Sequence, residues 1–455
     1  MIARAPGRTG SLPSEAQAQE ILDRALRAVC ADAAEATLCA CISQLTAFAT
    51  GEIRHTIAEE GRVLSLAAVF QRRVVRVSTT RTDDEAIAAL ARRAQEMGRI
   101  PREPDLEMDL AAAAGPYAPA KFDPATAEGD PATQLEDAHG VLHLARTRSL
   151  ESAGFLASTA QLSAIANTAG LRVLARATEA DAALTMRRLA GGTETSGYAA
   201  AAAWRSAEIP LEEMAAAAAN KALWGGSPVH LAPGPYTVIL EPIAVAELLL
   251  FLSEGFNARS VEENDSFLTG RVGEALFNPL MTLSDDVTHP LQRGLPFDGE
   301  GVPRRTVKLI DRGRVAALLT DRATAARMGT EPTGHGHPLP NPHGAQAQQL
   351  VLAPGAHAQD RLVSECERAI LVTRFWYARP VDPGTCTVTG LTRDGTFLIE
   401  DGRVSRRLVD LRWNESLLEA FARLEAVGDR LSVVPMEHLT VVTPAVRIPG
   451  FHFTA

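Results

Sequence analysis

The chain has few cysteines, few aromatics, no excess of positive charge and no membrane-length apolar run. Each shortage closes off a class of protein. The five cysteines, Cys30, Cys39, Cys41, Cys366 and Cys386, are odd in number and form no CxxC pair. A disulfide scaffold is not expected, and reduced, mostly buried thiols are. Aromatic residues make up only 5% of the chain, so its cores must be aliphatic and rich in alanine. Lys and Arg number 45 against 55 Asp and Glu, a formal charge of −10. Phosphate binding needs clustered cations, so no nucleic-acid partner is expected. The apolar stretch Ala244 to Phe256 is too short to span a membrane and contains Glu247 and Glu254. Residues 1 to 10 lack the apolar core of a signal peptide. A cytoplasmic protein with no membrane partner is the expectation.

Within those bounds, 455 residues suffice for two domains with proper cores. Hydrophobic content of 46% and charged content of 22% are ordinary for a globular protein. Residues 1 to about 13 read as a leader ending at Pro13. Ser14 to Ala31 reads as a helix with Ser14 as N-cap and Ile21, Leu22, Ala25, Leu26 and Val29 on one face. Strands are expected around Arg54 to Ala58, Val63 to Phe70 and Arg73 to Thr79, then a helix from Asp83 to Met97. Prolines punctuate residues 101 to 131, a long surface connection. A helix over Ala132 to Ala153 precedes strands at Thr159 to Ile165, Leu171 to Glu179, Ala182 to Leu189 and Gly197 to Trp204. The helix Pro210 to Trp224 ends at Gly225-Gly-Ser-Pro228, which places a boundary near residue 230. The reading is an α/β N-terminal domain with a mixed sheet over 1–230, and a strand-rich α+β C-terminal domain over 231–455. Hairpins are expected around Asp311-Arg-Gly313 and Glu400-Asp-Gly402, and a closing helix over Glu415 to Gly428.

Few residue groupings suggest chemistry. His335, His337 and His343 share a glycine- and proline-rich loop, so their rings could converge. A zinc site needs further fixed ligands and a second shell. The preferred role for His335, His337, Asn341 and His343 is lining a substrate cleft. Asp285-Asp286 with His289 reads as a strand end whose acids cap backbone N–H groups. His139 and His143 read as a solvated helix face. Lys221 and Arg379 carry no specific signal. No nucleophile elbow or phosphate loop is present.

One passage says more. Gly234-Pro-Tyr-Thr-Val-Ile-Leu-Glu-Pro242 reads as a turn, a short strand and a helix start. It runs into the apolar helix 243–256. This passage resembles the TldD/PmbA (TldD/TldE) family. So, in the family's order, do Leu45 to Glu59, Val74 to Thr80, Ile165-Ala-Asn-Thr-Ala-Gly170, Ser266 to Gly270, Asp285-Asp286, Pro296-Phe-Asp298, Glu300-Gly-Val302 and Thr333-Gly334. The His335 to His343 loop and the C-terminal Val442 to Gly450 depart from the pattern. In the family's zinc-binding branch the helix carries His-Glu-x-x-x-His, and a late cysteine adds a ligand. Here those helix positions hold Leu250, Phe251 and Gly255, and the last cysteine is Cys386. None of the three helix residues has a side chain that can bind zinc or act as a base.

The resemblance implies a PmbA/TldE-type subunit with no catalytic residue, no metal and no cofactor of its own. It implies a heterodimer with a TldD-like zinc-binding homologue, with zinc in the partner. The shared cavity would take peptide or small amide substrates for hydrolysis. Two alternatives are a natural-product biosynthetic heterodimer that forms amide bonds or transfers acyl groups, and a stand-alone binding or scaffold protein. Leu250 is expected to be buried with the rest of its helix.

Overall fold

The computed structural model describes residues 11–112, 115–190, 192–224 and 226–454. The expected leader falls largely outside them, as does Gly225. Strands β1 (Ala33–Ala49), β2 (Glu52–Phe70), β3 (Arg73–Thr79), β4 (Glu151–Asn167), β5 (Arg172–Ala190) and β6 (Thr193–Ala203) form one sheet in the order β3-β2-β1-β4-β5-β6. Its five pairings are all antiparallel. Helices α1 (Glu15–Ala28), α2 (Asp84–Gly98), α3 (Pro124–Glu128), α4 (Pro131–Thr147) and α5 (Leu211–Leu223) accompany it.

Side chains alternate across a strand, and the sheet uses that alternation asymmetrically. The even residues of β1, Ala36, Leu38 and Phe48 among them, lie in cores made with α1, α2, α4 and α5. The opposite face is covered only in part, by the 101–123 connection and C-terminal loops around Phe297. Cys39 and Cys41 point to that face and are exposed, as is Cys30. Three of the five thiols are thus not buried, against expectation. Helix α1 starts where its sequence says. Ser14 accepts from the Gln17 N–H and Gln17 answers the Ser14 N–H, a capping box.

Several elements differ from the sequence reading. The two strands expected within 54–70 are one 19-residue strand, and β5 likewise runs unbroken through 172–190. The helix expected over 132–153 ends at Thr147, because β4 begins at Glu151. The closing helix shrinks to Leu417–Ala422. Its neighbours are claimed by sheet pairing, Arg412–Ser416 on one side and Ala426–Val427 on the other.

The C-terminal half is strand-rich, with parallel and antiparallel pairings mixed. Its strands are β7 (Gly234–Leu240), β8 (Leu283–Asp285), β9 (Val307–Asp311), β10 (Arg314–Val315), β11 (Gln349–Leu352), β12 (Arg368–Asp382), β13 (Thr387–Glu400), β14 (Arg403–Arg407), β15 (Arg412–Ser416), β16 (Ala426–Val427), β17 (Ser432–Pro435), β18 (Thr440–Thr443) and β19 (Val446–Phe453). One sheet has the order β10-β9-β8-β11-β18-β17. The other has β12-β7-β19-β15-β13-β14, with β12 also pairing β13 and β16 pairing β19. Helix α6 (Pro242–Ser253) packs on strands of both. One large apolar core joins the helix and the two sheets.

Polar contacts tie the two halves together. Arg293 reaches Asp181 at 2.8 Å and Glu179 at 3.7 Å. Tyr117 donates to the Gly301 carbonyl, and Lys221 at the end of α5 pairs with Glu241 just before α6. Helix–sheet packing is close in the N-terminal half. A Cβ added at Gly197 of β6 would lie 2.2 Å from the Ala218 carbonyl oxygen of α5. Gly197→Ala should therefore lower unfolding stability by about 1–3 kcal/mol, read by denaturant titration, since overpacking strains both elements.

Candidate functional site

The site is built around the C-terminal end of α6. This helix is apolar on nearly every side, and such a helix must be buried. Pro242 sits at its first turn, where a missing N–H costs nothing. Ala244, Val245, Ala246, Leu248, Leu249 and Leu252 are buried. The helix ends at Ser253, and one 3₁₀ turn, Glu254–Phe256, follows it. Leu250 differs from expectation: it is half-buried at the edge of the core.

The Phe267 ring explains the glycine at 255. A Cβ on Gly255 would lie 2.2 Å from Phe267 Cζ. The space where a side chain at 255 would project already holds an aromatic ring. Phe251, Gly255 and Phe267 line a cavity of about 270 Å³, together with Asp265, Asp382 and Cys386. Burial pushes the Cys386 thiol up to about 12, so it stays protonated and packs as an apolar group. The residues at the helix positions do not fit zinc, since none offers a nitrogen, oxygen or sulfur side-chain donor. Among the described residues, no three His, Cys, Asp or Glu side chains stand close enough together to hold a metal ion.

Glu247 is the exception on the helix, and the sequence reading noted it only as an obstacle to membrane insertion. Its carboxylate accepts from the Phe375 N–H of β12 at 2.6 Å. Burial pushes its pKa up to about 8, against the pull of that N–H and of the Arg374 guanidinium. A single acid in an otherwise apolar helix was the available signal.

Of the four residues expected to line a cleft, His335 turns inward while His337, Asn341 and His343 stay together in their loop. His335 is fully buried, its Nε2 3.0 Å from a carboxylate oxygen of Asp285. It faces protein, not a cleft. Asp285 also accepts from the backbone N–H groups of Gln348 and Gln349. Burial would raise the Asp285 carboxyl, but His335, Arg304 and the Gln349 N–H outweigh it and hold it at about 2. Its neighbour Asp286 caps the Thr288 N–H. Asn341 is used structurally: its side chain donates to Asp321, which caps the helix Arg322–Met328, and to the Gly344 carbonyl of its own loop. His337 and His343 remain near the surface, with ring centroids 5.9 Å apart and edge to face. His139 and His143 are exposed on α4.

A second group of buried carboxylates lies where β1 meets the C-terminal loops. Burial pushes Glu35 up to about 7 and Glu300 up to about 8, the latter also through Asp298. Asp298 and Glu300 were legible only as parts of family-like segments, and Glu35 carried no local signal.

Two predictions follow from this geometry. Gly255→Ala should destabilise the chain by about 1–3 kcal/mol in denaturant unfolding, because the ring blocks the added methyl. Gly255→Ala with Phe267→Ala should cost less than the two single changes summed, since the second removes the clash made by the first. The other prediction concerns pH. Between the ordinary value of 4.5 and about 8, folded Glu247 keeps a proton that the unfolded chain has released. Stability should therefore fall as pH rises through this window. Glu35 and Glu300 act with the same sign. Glu247→Gln should make that fall shallower without abolishing it, measured by unfolding at a series of pH values.

Comparison with known proteins agrees with this architecture. Residues 233–455 match the family described as the PmbA/TldA metallopeptidase C-terminal domain. A metalloprotease of Methanothermobacter thermautotrophicus is 25% identical over 178 residues, 39% of this chain and 39% of its own length. A metalloprotease TldD homolog of Haemophilus influenzae is 28% identical over 178 residues, 37% of this chain and 35% of its own. The matches thus span less than two thirds of these relatives' length. The crystal structure of TldE from Thermococcus kodakarensis shares the fold, with a TM-score of 0.88 at 21% identity, over 96% of this chain and 99% of that one. Residues 233–455 thus match the PmbA/TldA metallopeptidase C-terminal domain family, and the fold likeness to TldE extends over nearly the whole chain.

Proposed function

We propose that this chain is the metal-free, non-catalytic subunit of a two-chain peptidase, paired with a TldD-like homologue that holds zinc. The observation that carries the reading is the end of α6. Leu250, Phe251 and Gly255 stand where the zinc-binding branch has two histidines and a glutamate, and the Phe267 ring fills the space beside Gly255. Restoring ligands would require rebuilding the packing around them. The fold likeness to TldE across nearly the whole chain supports the same reading.

In this arrangement amide hydrolysis belongs to the partner, where bound zinc would supply a polarised water. This chain contributes a cavity wall, excludes folded proteins and stabilises the partner. The partly uncovered face of the N-terminal sheet is the surface available for such a wall. With a formal charge of −10, the chain gains little from electrostatic attraction unless its partner is basic. A large apolar interface is the expected contact.

Size-exclusion chromatography with the zinc-motif homologue from the same genome, at low and high salt, tests the pairing. The two should co-elute at both, with zinc tracking the homologue and peptide cleavage seen only in the mixture. Full activity of the homologue alone, or stoichiometric zinc in this chain alone, would overturn the reading.

A further inference from the structure

We propose that a second cleft binds a small zwitterion, a free amino acid or a dipeptide. This cleft lies where one end of the N-terminal sheet meets the β12–β13 hairpin, and its volume is about 320 Å³. Ligand pockets for drug-sized molecules run from about 300 to 1,000 Å³. The cleft is at the small end of that range, too small for a long peptide.

Its two walls carry opposite charge excess. On the N-terminal side, one cation serves two anions: Arg187 reaches Glu151 at 2.6 Å and Glu194 at 3.5 Å. On the C-terminal side, one anion serves two cations. Asp394 accepts from Arg374 Nε at 2.8 Å, and Arg393 Nε stands 3.9 Å from the same carboxylate. A ligand with only a negative charge would face Glu151 and Glu194. A ligand with only a positive charge would face Arg393. A molecule carrying both, with a short spacing, satisfies both walls.

The C-terminal wall is pre-organised. Arg374 stacks 4.0 Å from the Tyr198 ring centroid, and Ser196 Oγ donates to Asp394 at 2.7 Å. Asp394 itself has φ +55°, a left-handed conformation that aspartate adopts at a cost, followed by Gly395 at φ +136°. Arg393 lies 4.9 Å from the Trp376 ring centroid, and its side chain remains about half exposed. It is therefore the cation positioned to take a ligand carboxylate.

Trp376, 38% exposed, supplies an apolar wall for a side chain. The cleft is separate from the cavity under α6.

Calorimetric titration of the isolated chain with the dipeptide Leu-Ala and with free leucine tests the proposal. At least one should bind, and N-acetyl-Leu-Ala and Leu-Ala amide should each bind about ten-fold or more weakly than Leu-Ala if the dipeptide is the ligand. If leucine is the ligand, its N-acetyl and amide forms should show the same loss. Arg393→Gln should weaken the free acid and leave the amide unchanged, and Glu151→Gln should do the converse for the free amine. Circular dichroism confirms that the variants fold. Absence of binding by both probes, or equal binding of free and blocked forms, would overturn the proposal whatever the variants do. Neither outcome bears on the proposed heterodimer, because no partner is present.

Discussion

A helix without a polar face has to be covered on every side, and the C-terminal half is arranged around that demand. Two sheets close on α6, and its leucines and alanines join their strands in one core. Fully burying a leucine is worth about 1.5–3 kcal/mol. Several of them on one short helix make it a fixed point about which loops and neighbours arrange. Imidazoles and water at the end of this helix would have to displace that packing. The aromatic ring of Phe267 against the backbone of Gly255 shows how completely the space has been given over to it.

The polar residues of this half are correspondingly confined to places where each finds a partner. Asp285 is fully buried yet ionised, because His335 stands beside it and two backbone N–H groups point at it. Glu247 is less well served, with one N–H and a nearby guanidinium, and its proton is retained to higher pH. The contrast follows from the number of compensating donors, since burial alone raises both carboxyls.

What could be read from the sequence was local chemistry, and what could not was pairing at a distance. Ser14 followed by Gln17 announces its helix because the capping box is a four-residue interaction. β3 was expected over the very residues it occupies, Arg73–Thr79. By contrast, Glu59-Glu-Gly61 looks like a break in a strand. It continues as strand because the partner strand β1 runs alongside, with Cys41 Sγ in the space a Gly61 side chain would need. Glu179 and Asp181 likewise look like a turn, and are held in β5 by Gln161 and Arg293. The same limit applies at the site. The missing zinc motif was legible as a spacing on one helix. The burial of His335 was not, because this loop residue's partner Asp285 lies fifty residues earlier in the chain, at the end of β8.

Consecutive residues of one strand touch α6 and the junction cleft. Phe375 gives its N–H to Glu247 on α6, while Arg374 beside it faces Tyr198 and Asp394 in the junction cleft. Glu247 and Arg374 also sense each other's charge, since that guanidinium is one of the groups favouring the ionised carboxylate. Loss of the Glu247 proton therefore places a new negative charge beside the very cation that organises the C-terminal wall of the second cleft. β12 is held firmly where β7 and β13 flank it, at Ile370–Val372, and has only β13 beyond that point. The apolar helix is held by its burial, and its single acid ties it to that strand through the Phe375 N–H.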